Sequence, residues 1–267
     1  MNAHAIASLS RAGVAVELVH ETGSTNADLL ARVAALDGNL LLVAERQSAG
    51  RGRAGRSWLS CEGGSLTFSL AWRFALPVHA LAGLPLAVGV ALAEALAAQG
   101  VTVQLKWPND LLKDGAKLGG VLIETQGAGS GAGVAGVAGV AGSAVWAVIG
   151  VGLNLELPDE LEARIGRPAA SAPWLARMER NALMAALLEH LAASLRQFEL
   201  AGFGAFSARW NRLHAYQGCP VLILDGGATV HEGIAAGVDD GGALLLDGAR
   251  GRIAVSAGDV SLRAREA

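Results

Sequence analysis

The runs VAVELVH (14–20), LLLVAE (40–45) and SLTFSLAWRF (65–74) are short, apolar or alternating, and bounded by turn residues, which predicts strands. VQLKW (103–107), KLGGVLIET (117–125) and AVWAVIGVGLNL (144–155) repeat the pattern. Between these runs the period lengthens. In STNADLLARVAAL (24–36), Leu29, Leu30, Val33 and Leu36 share one helical face. Thr25 followed by Asp28 has capping-box spacing, which predicts a helix start at 24–26. An Ala-rich helix follows the 65–74 strand and ends near Gly100. ERNALMAALLEHLAASLRQFEL (179–200) predicts a long amphipathic helix, and a shorter one runs to about His214. From Gly218 the pattern changes to short β runs separated by turns: PVLIL, TVHEGIAAGV, GALLLD, RIAVS and DVSLR. The expected fold is therefore α+β, with a mixed β-sheet packed with helices over 1–217. A small all-β module, consistent with an SH3-like barrel, then occupies 218–267.

Composition narrows the function. With 52% hydrophobic and 17% charged residues among 267, the chain has a core to bury and is not of the disordered class. A net charge of −3 gives no overall attraction to nucleic acid, so any anion binding must be local. Cys61 and Cys219 lie far apart and form no C-x-x-C pair, which argues against a zinc site and a disulfide scaffold and fits a reducing cytoplasm. MNAHAIASLSRAG has no basic segment leading into an apolar core, so no signal peptide is expected. The uncharged stretches 74–93 and 127–155 contain prolines or many glycines and read as soluble core and loop rather than membrane spans. The Gly-rich insert 127–143, with GVA-type triplets over 133–141, reads as a mobile hairpin extension without assigned function.

Local positive charge is concentrated in ERQSAGRGRAGRSW (45–58), where Arg51, Arg53 and Arg56 interleave with Gly50, Gly52 and Gly55 and no hydrophobic period runs through. Guanidinium forks beside accessible backbone N–H groups suit a phosphate or carboxylate, and the expectation is a pliable anion-binding loop. ETGSTN (21–26) sets two hydroxyls and an amide at a helix N-terminus, a place for capping and for ligand contacts. In LKWPNDLLKDGAKLGG (105–120), Pro108 ends a strand and turns Asn109 and Asp110 out at its tip. Lys117 opens the next strand beside Gly119 and Gly120, whose lack of side chains marks a close approach. GVGLNL (150–155) is another glycine-spaced strand, ending at the polar Asn154.

ETGSTN, AERQSAGRGRAGRSW, KWPNDLL, KLGGVLIE, GVGLNL and GDVSLR occur in the order found in biotin protein ligases, and the resemblance spans 15–265. It implies a biotin–lipoate ligase-like (class II synthetase) catalytic domain and a cytoplasmic enzyme that uses biotin and ATP with Mg2+. Such an enzyme forms biotinyl-5′-AMP, then biotinylates a lysine of a biotin carboxyl carrier protein. The resemblance places Ser24, Thr25, Asn26 and Gln47 around biotin, together with Arg51, Gly52, Arg53 and Lys117. It sets Arg53, Arg56, Trp58 and Asn154 near the nucleotide, and the catalytic set is Lys117, Arg51 and Asp110. No metal ligands are singled out. Ala54 stands where some relatives have a further arginine, which implies a looser hold on the intermediate. Only about 20 residues precede ETGSTN, too few for a helix-turn-helix domain, so DNA is not an expected partner; nor is a membrane, from the reading of 74–93 and 127–155 above. A monomer and a homodimer stay open, as do a lipoate- or octanoate-transferring activity and a non-enzymatic biotin sensor.

Overall fold

The computed structural model describes residues 1–127, 144–166, 168–258 and 260–265. The insert expected as a hairpin extension lies outside them beyond Gly127. The first half runs α1 (Ala3–Leu9), β1 (Ala15–Thr22), α2 (Thr25–Arg32), β2 (Leu40–Gln47), β3 (Gly50–Arg51), β4 (Ser57–Trp58), β5 (Ser65–Phe74) and α3 (Leu84–Ala98). It continues through β6 (Gln104–Lys106), β7 (Asp110–Lys113), β8 (Ala116–Gly127), β9 (Val145–Asn154), α4 (Asp159–Ile165), α5 (Pro173–Ala176), α6 (Arg180–Ala201) and α7 (Gly204–Leu213). The chain then enters β10 (Pro220–Asp225), β11 (Ala228–Val238), β12 (Leu244–Gly248), β13 (Gly251–Val255) and β14 (Val260–Ala264).

Among the described residues, seven strands form one mixed sheet in the order β1-β2-β5-β9-β8-β7-β6, in which β1 and β2 are parallel and the other pairs antiparallel. Successive side chains of a strand leave on opposite faces. Leu66, Phe68, Leu70, Trp72 and Phe74 of β5 accordingly join Ala147, Ile149, Val151 and Leu153 of β9 in the main core. That core is closed by α3 and α6. Phe198 of α6 meets Phe74 edge-on at 6.1 Å and lies 6.4 Å from Phe206 of α7. The helical stretch Val78–Ala98 is long and apolar enough to cross a membrane by composition, but 67% of its apolar window is buried inside the protein. Such burial is what a core helix needs. On the opposite face, Leu29 and Val33 from the helix of 25–35 cover Leu40, Leu42, Ala71 and Trp146 at one end of the sheet only. The other end is left for the pocket.

Among the described residues, β10 to β14 form an antiparallel five-stranded module in the order β13-β12-β11-β10-β14. Val221, Ile223, Leu244 and Leu246 from it belong to the main core cluster, so module and body share buried surface. Polar ties reinforce the joint. Trp107 Nε1 donates to the Gly242 carbonyl at 3.1 Å, and Asn211 exchanges hydrogen bonds with the backbone of Val238 at 2.8 and 3.2 Å. His214 lies at this joint, its ring 4.7 Å from that of Trp210, and burial holds its imidazole below the usual histidine range.

Three expectations need correction. Ser24, rather than a Thr25–Asp28 box, caps α2 by accepting from the Ala27 N–H at 3.4 Å. Asp28 instead accepts from the Thr22 hydroxyl at 2.5 Å, which leaves Thr25 available to the pocket. Asp110 is not in the turn but begins β7, paired with Lys106, so the turn holds residues 107–109. The arginine segment, expected as a pliable loop, carries a short ladder at its ends, where Gly50–Arg51 pairs antiparallel with Ser57–Trp58.

Two stability outcomes follow. Phe198→Ala empties a site ringed by two aromatics and should lower the unfolding free energy by about 3–5 kcal/mol in urea titration. Because folded His214 resists protonation, unfolding gains protons as pH falls below about 6.5, and stability should drop across that range. His214→Asn should show a shallower fall in urea midpoint between pH 8 and pH 5 than the parent chain.

Candidate active site

The uncovered end of the sheet presents the second face of the same strands. Opposite their core residues, β5 offers Thr67 and Ser69, and β9 offers Gly150, Gly152 and Asn154; their register partners include Ser69↔Gly150 and Thr67↔Gly152. Small residues leave room above the sheet. A methyl at Gly150 would overlap the Asn26 amide, and one at Gly152 would overlap the Trp58 indole. The pocket is therefore floored by backbone and short polar side chains.

A hydrogen-bond chain crosses this floor. Gln47 Oε1 accepts from the Thr25 N–H at 2.8 Å and from the Thr25 hydroxyl at 3.1 Å. The Thr25 and Ser69 hydroxyls are 2.7 Å apart, and Ser69 donates to Asn26 Oδ1 at 2.5 Å. Asn26 Nδ2 donates to Glu124 Oε2 at 2.9 Å and to the Leu122 carbonyl at 3.3 Å. Ser24, Thr25, Asn26 and Ser69 are all buried, so each polar atom is fixed by a partner instead of by water. Such a set suits a neutral ligand that both donates and accepts.

The arginine segment folds over the pocket as a tight hairpin. Its turn places Ala54 and Gly55 at φ values of 52° and 67°, the doubly left-handed backbone of a two-residue hairpin turn. Alanine pays roughly 1–2 kcal/mol for that conformation. The Arg56 N–H donates to the Arg53 carbonyl at 3.2 Å, and the Gly52 N–H to the Arg56 carbonyl at 2.6 Å. Two side chains pin the hairpin to its surroundings: Arg51 pairs with Glu124 at 3.0 Å, and Arg53 donates to the Gly258 carbonyl of the C-terminal module.

Lys117 reaches the pocket through a bulge. The β7–β8 register breaks between Leu111 and Leu112, so Leu118 is an extra residue between the pairs Lys117↔Leu112 and Gly119↔Leu111. The extra residue re-aims its neighbours. Leu118 enters the core at 1% exposure, while Lys117 lines the pocket and forms an ion pair with Asp110. Asp110 is the register partner of Gly120, and a Cβ at Gly120 would lie 3.0 Å from Lys117 Nζ and 3.4 Å from Asp110 Oδ1. The bare glycine lets the pair meet above the sheet.

Ten of the residues read from the sequence line this one pocket: Ser24, Thr25, Asn26, Gln47, Arg51, Gly52, Arg53, Arg56, Trp58 and Lys117. Asp110 adjoins it through Lys117. Asn154 lies in a neighbouring cavity of about 530 Å³ that shares Arg56, Trp58 and Lys117 with the first and adds Arg164 and Ile165. The Asn154 amide donates to the carbonyls of Ala170 at 3.1 Å and Lys117 at 3.4 Å, so it also fastens the segment beside that cavity. The sequence reading missed Ser69, Asn109 and Glu124. Ser69 carried a signal, since it alternates with the apolar residues of SLTFSLAWRF; Glu124 closes KLGGVLIE without a pattern of its own.

This arrangement has counterparts. Residues 18–142 match the Biotin/lipoate A/B protein ligase family, and residues 218–263 match the Biotin protein ligase C terminal domain. The chain is 34% identical to the Bifunctional ligase/repressor BirA of Escherichia coli (strain K12), over 95% of this chain and 76% of that protein. It is 36% identical to the Biotin--[acetyl-CoA-carboxylase] ligase of Mycobacterium tuberculosis, over 92% of this chain and 88% of that one. A solved structure of biotin protein ligase from Aquifex aeolicus in complex with biotin and ATP superposes with a TM-score of 0.73 at 26% identity, covering 94% of this chain and 99% of the other. With ordered motifs, fold and sequence identity in agreement over most of its length, the chain belongs to the biotin protein ligase family.

Proposed function

We propose that the chain activates biotin with Mg-ATP to biotinyl-5′-AMP and transfers the acyl group to a lysine of a biotin carboxyl carrier domain. The observation that carries this reading is one pocket with two characters: a neutral hydrogen-bond chain at one end, and Arg51, Arg53, Arg56 and Lys117 at the other. A fused-ring urea needs donors and acceptors, which Thr25, Asn26, Gln47 and Ser69 provide. A carboxylate and a triphosphate repel each other by about 4 kcal/mol per charge pair at 4 Å near a protein surface, and the cations offset that repulsion.

In the first step a biotin carboxylate oxygen bonds to the α-phosphorus and pyrophosphate leaves. Both acids are already ionised at neutral pH, so no base is needed. Placement and charge stabilisation dominate such a step. Lys117 serves the carboxylate and α-phosphate oxygens, and Arg51 and Arg53 hold the carboxylate side. Arg56, Trp58 and Asn154 take the nucleotide in the neighbouring cavity, with the Trp58 indole as a stacking face. Mg2+ enters with the triphosphate as part of that substrate. Among the described residues there is no cluster of three His, Cys, Asp or Glu side chains to serve as its ligands.

In the second step the carrier lysine amine bonds to the acyl carbon and AMP leaves. The incoming ammonium must lose a proton first, and Asp110, paired with Lys117, is the carboxylate placed to accept or orient it. The division of labour is a catalytic body over 1–217 and a module over 218–267 that backs the hairpin through the Arg53–Gly258 contact. A cytoplasmic setting suits an ATP-consuming enzyme with two free cysteines.

The polar floor favours biotin over lipoate or octanoate, whose chains offer no urea. Purified protein given ATP and an equal mixture of the three acids should retain biotinyl-5′-AMP by mass spectrometry; retention of lipoyl- or octanoyl-AMP instead would overturn the assignment. Lys117→Ala should slow pyrophosphate release about 10²–10³-fold, the effect of removing one preorganised charge donor. Pyrophosphate release at the parent rate would rule out that role.

A further inference from the structure

Glu124 accepts hydrogen bonds from both halves of the site, yet none of the chemistry above uses it. A single carboxylate oxygen, Oε2, accepts from Asn26 Nδ2 on the pocket floor at 2.9 Å and from the Arg51 guanidinium on the hairpin at 3.0 Å. Its position follows from the sheet. Glu124 is the register partner of Val148, two pairs along from Leu122↔Gly150, so it stands on the pocket face of β8 beside the helix carrying Asn26.

An ionised carboxylate only accepts hydrogen bonds. It therefore dictates which way the Asn26 amide lies: the NH2 group must face Glu124 and the Leu122 carbonyl, and Oδ1 must face Ser69. Ser69 then gives its proton to Asn26 and turns a lone pair toward the Thr25 hydroxyl, whose single proton is shared between Ser69 and Gln47 Oε1. One charge at the edge thus sets the donor and acceptor order of the whole floor. The same charge holds Arg51 at the root of the hairpin, where β3 begins to pair with β4.

We propose that Glu124 is a positioning residue that orients Asn26 and latches Arg51, so that filling the pocket floor and closing the hairpin become one event. The latch stands on the ligand-free geometry; the coupling to biotin rests on the function proposed above. The pair is half-exposed, with side-chain exposures of 45% for Arg51 and 30% for Glu124, so the latch is weak enough to open and close in turnover.

Trypsin reads this directly, because the hairpin contains three cleavage sites at Arg51, Arg53 and Arg56. Glu124→Gln keeps the size and an oxygen with two lone pairs but removes the charge, so the Arg51 contact loses its ion-pair strength. In ligand-free full-length protein it should speed cleavage after Arg53 and Arg56 by about two- to fivefold, the range for a half-exposed ion pair, with the melting temperature held within about 2 °C. In an Arg51→Gln background the same change should have no further effect. Equal acceleration in both backgrounds, or none in either, overturns the latch. Glu124→Asp, which keeps the charge but shortens the reach, should fall between parent and Gln and guards against a folding defect in one variant. Adding biotin without nucleotide should slow cleavage of the parent chain, and Glu124→Gln should lose at least half of that protection. Undiminished protection in the variant overturns the coupling. If the parent gains no protection, both the biotin reading and the coupling fall, while the ligand-free cycle still decides the latch.

Discussion

A β-strand sends alternate side chains to opposite sides, and this protein uses that constraint to build its core and its pocket from the same strands. At the pocket end of β5 and β9 the large residues point one way, into the main core, and the small or polar ones point the other. Phe68 and Ser69 are neighbours in sequence and belong to different environments. The pocket floor is therefore as rigid as the core behind it, which is what a precise hydrogen-bond chain requires. Neither set of residues can change without disturbing the backbone that holds the other.

Charge is treated differently from shape. The floor is neutral and built into the sheet, whereas the arginines sit on a hairpin of two-residue strands that has little core of its own. A short ladder of this kind is marginal alone. Its closure depends on what its side chains reach: Glu124 at one root and the Gly258 carbonyl of the C-terminal module at the other side. Rigid recognition of a neutral ring and adjustable delivery of positive charge are thus carried by separate elements that share one opening.

Most of the architecture was legible because the strands and long helices carry clear periods. Six catalytic strands, α2, α3, α6, α7 and the β runs after Gly218 were all readable in that way. The elements that escaped are short: α1 and α4 have 7 residues, α5 has 4 and β7 has 4, too few for a period to declare itself. The Thr25–Asp28 spacing misled because Thr22 offers Asp28 a tertiary partner that local pattern cannot reveal. Within the site, residues in recognisable motifs were legible, and ten of them converge on one pocket. Glu124 was not, because it owes its importance to what lies across the sheet, and the alternation around Ser69 marked its face but not its partners.

The bulge at Leu118 has an implication for how this strand can vary. Lys117 and Gly120, three residues apart, face the same side because one surplus residue resets the odd–even count midway along β8. Straightening this stretch without shortening it would turn Lys117 toward the interior and Leu118 into the opening, whereas removing Leu118 itself would leave Lys117 opposite Leu112 and take a leucine from the core. The side that Lys117 faces is therefore set by where the surplus residue sits as much as by the residue types around it.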